Sequence, residues 1–285
     1  AKPGTIVCEL CPRHCTIAPG KRGSCWGRVN RDGKLVAASY GLSSGLCIDP
    51  IEKKPLFHFY PGSAVLSLGT IGCNLSCSFC QNWSLSRAQE TERLSQVASP
   101  RQVAEAARDA GCRSVAFTYN EPIVWAEYAI DCAIACHELG LATVAVTNGY
   151  VAEGARQDFF AHMDAANVDL KAFRDAFYRQ ICGARLQPVL DTLEYLARHT
   201  SVWLEVTTPV IPGHNDSAEE LGGLSRWIAE TLGPDVPLHF SAFHADYELD
   251  APSTPTSTLL MARNLAQEAG LRYVYTGNIG GADTR

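Results

Sequence analysis

Val65-Leu66-Ser67-Leu68-Gly69-Thr70-Ile71-Gly72-Cys73-Asn74-Leu75-Ser76-Cys77-Ser78-Phe79-Cys80 reads in two halves. The first five residues are a short apolar run closed by glycine, the pattern of a buried strand. The second half is a loop carrying three cysteines, spaced four and then three residues apart, directly after that strand. Outward from this stretch the strand pattern repeats. Short apolar or β-branched runs recur at 114–118, 142–147, 167–170, 202–211, 238–243 and 273–276, and amphipathic stretches fill the intervals at 100–110, 122–139, 153–163, 190–199, 218–232 and 255–269. Strands alternating with helices of roughly 10–15 residues imply βαβ units on a parallel sheet. The chain is therefore expected to be α/β, a partial (β/α)6 TIM-like barrel whose site forms where the strands end.

Polar residues collect at those strand ends: Thr118-Tyr119-Asn120-Glu121, Thr147-Asn148-Gly149, Asp169-Leu170-Lys171, Glu205-Val206-Thr207, and His239 followed by His244. Any one of them is an ordinary loop polar group. Five strands ending this way on one side predict a cavity lining. Asp169 and Lys171 also suit a same-face ion pair, and Glu205 suits a substrate contact or a partner for Lys171.

Before residue 62 the pattern differs. This segment is rich in Gly, Pro and Cys, so residues 1–62 are expected to form a small Cys-rich metal-binding unit with a connector, and 63–285 the barrel. Residues 26–40 read as a hairpin around Asn30-Arg31-Asp32-Gly33. Residues 49–61, bounded by prolines, read as a connector lying on the barrel. Cys8-x2-Cys11-x3-Cys15-x9-Cys25 offers four thiolates within a short span. Four ligands close a site, as in a structural zinc or a fully ligated iron–sulfur cluster. With little apolar sequence around it, such a metal would supply much of the segment's folding energy.

The chain has 12 cysteines and 2 methionines in 285 residues. Cys47, Cys112, Cys132, Cys136 and Cys182 stand apart from both clusters and read as packing thiols, with Cys182 also a possible hydrogen donor to a product radical. Hydrophobic residues make up 46% and charged residues 19%, which excludes disorder, and the net charge of -6 has no basic block to meet nucleic acid. No run reaches the roughly 18–20 apolar residues that span a bilayer. Clustered cysteines without a signal-peptide pattern point to the cytoplasm.

Three thiolates on one loop suit three irons of a [4Fe–4S] cluster, leaving the fourth iron open to an exogenous ligand. A zinc completed by a histidine is the alternative. The loop GCNLSCSFCQNW at 72–83 resembles the motif of radical S-adenosylmethionine (SAM) enzymes. Residues 62–280 are similar to glycyl-radical-enzyme activases, the pyruvate formate-lyase activating enzymes among them, through NEP at 120–122, TNG at 147–149, DLK at 169–171 and IPGHND at 211–216. The whole chain looks most like the AmmeMemoRadiSam-system radical SAM proteins, through CELCPRHC at 8–15, DPIEKKPLFHFYPG at 49–62 and YTGNIGG at 275–281.

The resemblance implies residue roles. Cys73, Cys77 and Cys80 would hold the cluster and Phe79 would pack near the adenine of SAM. Asn120 and Glu121 would meet its amino group. Thr147, Asp169 and Lys171 fall where activases hold the methionine carboxylate, partly through a bound cation, with Asn148 beside them. His244 would approach the same carboxylate. Two positions differ: Tyr119 and Asn120 replace two glycines, and Val146 replaces an aspartate. The implied reaction is one-electron cleavage of SAM, giving a 5′-deoxyadenosyl radical that abstracts hydrogen from a small-molecule or macromolecular substrate, or from a partner protein's glycine in an activase. The implied electron donor is a reduced flavodoxin or ferredoxin-type protein. The reading of another class is a non-catalytic zinc protein.

Overall fold

A computed structural model describes residues 3–89 and 96–279. One sheet organises it: β1 (Leu46–Pro50), β2 (Ala64–Leu68), β3 (Ser114–Phe117), β4 (Ala142–Thr147), β5 (Ala165–Asp169), β6 (Trp203–Val210), β7 (Leu238–Ala242) and β8 (Val274–Gly277), paired in that spatial order. β1 runs antiparallel to β2 and all other pairings are parallel. The helices Pro100–Asp109, Ala126–Glu138, Glu153–Phe160, Gln187–His199, Ala218–Trp227 and Thr256–Glu268 each connect one parallel strand to the next. These are the six βα units of a partial barrel.

Local sequence sets the helix starts. Ser99 and Gln102 form a capping box ahead of Pro100, whose missing N–H costs nothing in a first turn. Ser217 accepts the N–H of Glu220 at the start of Ala218–Trp227.

Strand side chains alternate between two faces, and the alternation sorts two cores. Leu66, Leu68, Val115, Phe117, Val206, Leu238 and Phe240 face outward into the cluster shared with the helices. Val65, Ala116, Val144 and Ala165 face inward and pack on Ile51 and Leu56. The segment expected to lie on the barrel therefore enters it. Both apolar residues are fully buried, each worth roughly 1.5–3 kcal/mol. They need that burial, and the small alanines of β3 and β5 leave room for it.

Glu205 belongs to this floor and not to the strand ends. It sits early in β6, aligned with Asn167 of β5, two residues below the Asp169–Thr207 pair. Its carboxylate accepts from the N–H groups of Phe57 and His58, from Trp203 Nε1 and from His239 Nε2, while Asn167 donates to the carbonyl of Pro55. Glu205 therefore neither pairs with Lys171 nor lines the cavity. The run expected at 202–211 matches β6, but Glu205 is its third residue and so lies near the strand's start, not at its end.

The segment before β1 carries short antiparallel pairs, Ile6–Val7 with Thr16–Ile17 and Arg28–Arg31 with Lys34–Ala37. The second is the expected hairpin, turned by Asp32 and Gly33, both at positive φ. Arg28, buried in it, forms a two-pronged pair with Glu127 of a barrel helix at 2.5 and 2.6 Å. β1 belongs to the barrel sheet, so the change of sequence pattern at residue 62 falls inside the barrel body.

Candidate active site

A cavity of about 250 Å³ opens at the C-terminal end of the strands. Cys73, Cys77 and Cys80 line it from the loop after β2. Facing them are Asn120 and Glu121 after β3, Thr147 at the end of β4 with Asn148 next to it, Asp169 at the end of β5 with Lys171 beyond it, and Thr207 of β6. Phe79 forms part of the wall, 6.1 Å from the ring of Phe177. The polar strand-end residues expected to converge do so, except Glu205, His239 and His244.

Loop geometry is fixed by backbone contacts. The side chain of Asn120 accepts from Thr70 N–H at 3.0 Å and donates to Thr70 Oγ1 and to the Gly72 carbonyl at 2.9 Å. Its amide is therefore used in holding the approach to Cys73. Asn148 Nδ2 donates to Asn74 Oδ1 at 2.9 Å and lies 3.6 Å from Cys73 Sγ. Gly72 is at φ +89, and a Cβ there would meet the Cys25 carbonyl oxygen at 2.3 Å. Gly72→Ala is expected to lose at least about 1–3 kcal/mol from backbone strain alone, with the collision added. Gly213→Ala, also at positive φ but in open space, supplies the control. Urea denaturation of both variants checks the difference.

Glu121 is completely enclosed. It accepts from Thr147 Oγ1 at 2.8 Å and from the N–H groups of Asn148 at 2.8 Å and Ile123 at 3.2 Å. Burial outweighs these bonds and, with the charge of Asp169, pushes its pKa up to about 7. A raised folded value means that stability is present below the ordinary glutamate range and is lost as pH rises toward 7. The ligand-free protein is expected to lose about 3 kcal/mol between pH 4.5 and 7.5 from this residue. Glu121→Gln should remove that slope, as read from urea midpoints across the range.

Lys171 Nζ pairs with Asp169 Oδ2 at 2.8 Å and lies 5.7 Å from the Phe79 ring centroid. Burial alone would lower its pKa, but Asp169 and Cys77 raise it, so Lys171 stays cationic. The same-face ion pair and the cavity wall are thus one arrangement. His244 is exposed, 3.0 Å from Gln81 Nε2, and is not among the lining residues. Thr207 Oγ1 is buried without a hydrogen-bond partner among the described residues, a polar atom left for a ligand. Sequence reasoning grouped Thr207 with the strand end but gave it no role.

Burial holds the Cys73 and Cys80 thiols above their ordinary range. Cys77 is raised chiefly by a hydrogen bond with Cys182, then by burial. Cys182 ends the short helical segment Tyr178–Cys182 between β5 and β6, and the carbonyls of Ile181 and Cys182 accept from the N–H groups of Ser78 and Ser76. The fold thus brings a fourth cysteine behind Cys77, off the cavity lining, a neighbour that sequence distance concealed. Among the described residues, no three Cys, His, Asp or Glu side chains meet around one ion-sized point. Three thiols lining one cavity suit separate irons of a cluster, which takes one thiolate per iron.

Cys8, Cys11, Cys15 and Cys25 surround a second, small void of about 10 Å³. Burial raises Cys8 and Cys25, and Cys11 to about 12, while Cys15 is partly exposed beside Ser24. A second metal at these residues is not shown. Cys132 and Cys136 are buried core thiols as expected, whereas Cys47 is exposed, because β1 is an edge strand.

The sequence profile of the radical SAM superfamily matches residues 68–223. The chain belongs to the radical SAM superfamily. A protein of Methanocaldococcus jannaschii, itself described as uncharacterized, is 45% identical over 277 residues, 97% of this chain and 82% of that one. The pyruvate formate-lyase 1-activating enzyme of Escherichia coli is 24% identical over 72% of this chain and 89% of its own length. Among solved structures, a radical SAM methyltransferase from Sphaerobacter thermophilus superposes with a TM-score of 0.60 at 15% identity, covering 78% of this chain and 68% of that one. Streptococcus suis SuiB bound to S-adenosylmethionine superposes equally well at 16% identity, over 74% and 49%. These structures share the fold of the radical SAM barrel.

Radical SAM proteins are enzymes, and the superfamily implies a [4Fe–4S] cluster and SAM; the non-catalytic reading is thereby set aside. No helix among the described residues is long and apolar enough to cross a membrane. Of the YTGNIGG stretch that carried part of the resemblance, Gly280 and Gly281 lie outside the described residues.

Proposed function

We propose that this radical SAM enzyme cleaves SAM reductively at a [4Fe–4S] cluster ligated by Cys73, Cys77 and Cys80. The resulting 5′-deoxyadenosyl radical would take hydrogen from a small-molecule or macromolecular substrate. The observation that carries this reading is the convergence of those three thiols, from one loop, on the cavity that the strand ends line. When bound, the cluster supplies the electron that breaks the sulfonium bond of SAM. The chain's own residues orient and enclose. Glu121 and the Asp169–Lys171 pair offer opposite charges for the amino and carboxylate groups of SAM, and Phe79 offers a ring face for its adenine. Thr207 offers an unpaired hydroxyl, and the connector seals the floor, keeping water from below. His244 would reach the carboxylate only by leaving Gln81.

The four N-terminal cysteines are proposed to hold a second metal, zinc or an auxiliary [4Fe–4S] cluster. Cys8, Cys11 and Cys25, held raised by burial, must release protons on binding, so loading should strengthen with pH. A second reading, activation of a partner protein at a glycine, is favoured by the likeness to the pyruvate formate-lyase 1-activating enzyme. Both readings are tested by anaerobic incubation with SAM, reductant and deuterated candidates. Deuterium appearing in 5′-deoxyadenosine identifies the substrate. A cluster-bearing protein that yields no 5′-deoxyadenosine contradicts the proposal.

A further inference from the structure

We infer that the shallow depression on the outer side of the cysteine loop is the docking surface for a small acidic one-electron carrier protein. The inference rests on the cluster reading above and adds the place where its electron enters. The depression, of about 450 Å³, is lined by Arg13, Cys15, Ser24, Tyr150, Gly183 and Arg185, among others. Its walls are bonded to the loop that holds Cys73 and Cys77. Arg13 Nε donates to the Asn74 carbonyl at 2.5 Å and Arg13 Nη2 to the Gly183 carbonyl at 2.6 Å. Asn74 Nδ2 donates to the Tyr150 carbonyl at 2.8 Å. Gly183 sits so close to Ser76 that a Cβ would meet its Oγ at 2.0 Å. Cys15, the one of the four N-terminal thiols that is not buried, lines the same depression, which thus borders one cysteine set and is bonded to the loop of the other.

Charge selects the partner. The chain carries a net charge of -6, yet the described residues lining this depression include two arginines and no carboxylate. Among the described residues Arg13 binds only carbonyls, and no carboxylate pairs with its charge. Arg185 is exposed and makes no ion pair among the described residues; the nearby Asp175 is already paired with Arg179 at 2.5 Å. A cationic depression on an acidic protein steers an acidic partner into one orientation, and electron carriers dock through small, salt-sensitive interfaces. The exchange needs no bond change: the carrier loses one electron and the cluster gains it.

Arg185→Glu tests this, because Arg185 makes no side-chain hydrogen bond or ion pair among the described residues and meets Asp175 only through its charge. Reduction of the reconstituted protein by a photoreduced acidic flavodoxin is followed by electron paramagnetic resonance. At low ionic strength the variant is expected to be reduced at least about ten-fold more slowly than the unmodified protein. The gap should close at about 0.5 M salt, where the screening length falls to a few Å. Dithionite, which needs no docking surface, should reduce both equally. Equal flavodoxin rates at low salt overturn the docking surface while leaving the cluster reading intact. Failure of dithionite to give a reduced cluster in the unmodified protein overturns the reading beneath it.

Discussion

Cys73→Ala yields a protein that no longer cleaves SAM: 5′-deoxyadenosine formation falls at least about 10³-fold, roughly 4 kcal/mol on the barrier, while the barrel remains folded. Cys73 lies where the loop leaves Gly72, and its thiol faces the cavity with Asn148 beside it. With two thiolates left, three irons cannot each keep a protein ligand. Cys182 does not replace it, since it stands behind Cys77 and off the lining. Cys8→Ala is the contrasting variant. Its thiol borders the separate N-terminal void, so the absorption of the SAM-site cluster should persist. Paired assays of 5′-deoxyadenosine and cluster absorbance distinguish the two, and equal SAM cleavage by Cys73→Ala and the unmodified protein would refute the ligand assignment.

The largest effect on stability is expected at the opposite end of the barrel. Glu205→Ala should destabilise the fold by about 3–5 kcal/mol, because it removes a fully buried acceptor shared by the buried His239, by Trp203 and by two backbone N–H groups. Burial alone would raise the Glu205 pKa, but His239 and the N–H groups of Phe57 and His58 hold it below the ordinary glutamate range. A lowered folded value means that its contribution is present at neutral pH and disappears as pH falls through that folded value. Glu205→Gln keeps one acceptor oxygen and should lose less. Urea midpoints at pH 7 and pH 4 measure both. A loss under about 1 kcal/mol for Glu205→Ala at pH 7 would show that the connector is held by its apolar residues alone.

The contrast between these two ends explains what was legible in the sequence. The six βα units were readable because parallel strands buried on both faces leave apolar runs that amphipathic stretches interrupt. The Cys73–Cys80 loop was readable because its three cysteines lie within eight residues of one another. Asp169, Thr147 and Glu121 were readable because each lies at or just past the end of an apolar strand run. Glu205 misled because a polar residue on an inward face looks the same in sequence whether it meets a cavity or a plug. Its partners, Phe57 and His58, lie about 150 residues away, so nothing local revealed them. Cys182 beside Cys77, and Arg13 clamping Asn74 and Gly183, are likewise contacts of topology. Asn120 kept its place at the cavity, yet its amide is used on the loop backbone, a division of labour that only geometry exposes.

The most direct test of the account is metal and product analysis of anaerobically reconstituted protein. Iron and sulfide are counted, then reductant and SAM are added and 5′-deoxyadenosine is measured. The account predicts about four irons per chain for the SAM-site cluster alone, or about eight if the N-terminal cysteines hold a second cluster, with product formed only when reductant and SAM are both present. Zinc without iron–sulfur absorption, together with no 5′-deoxyadenosine, would contradict it.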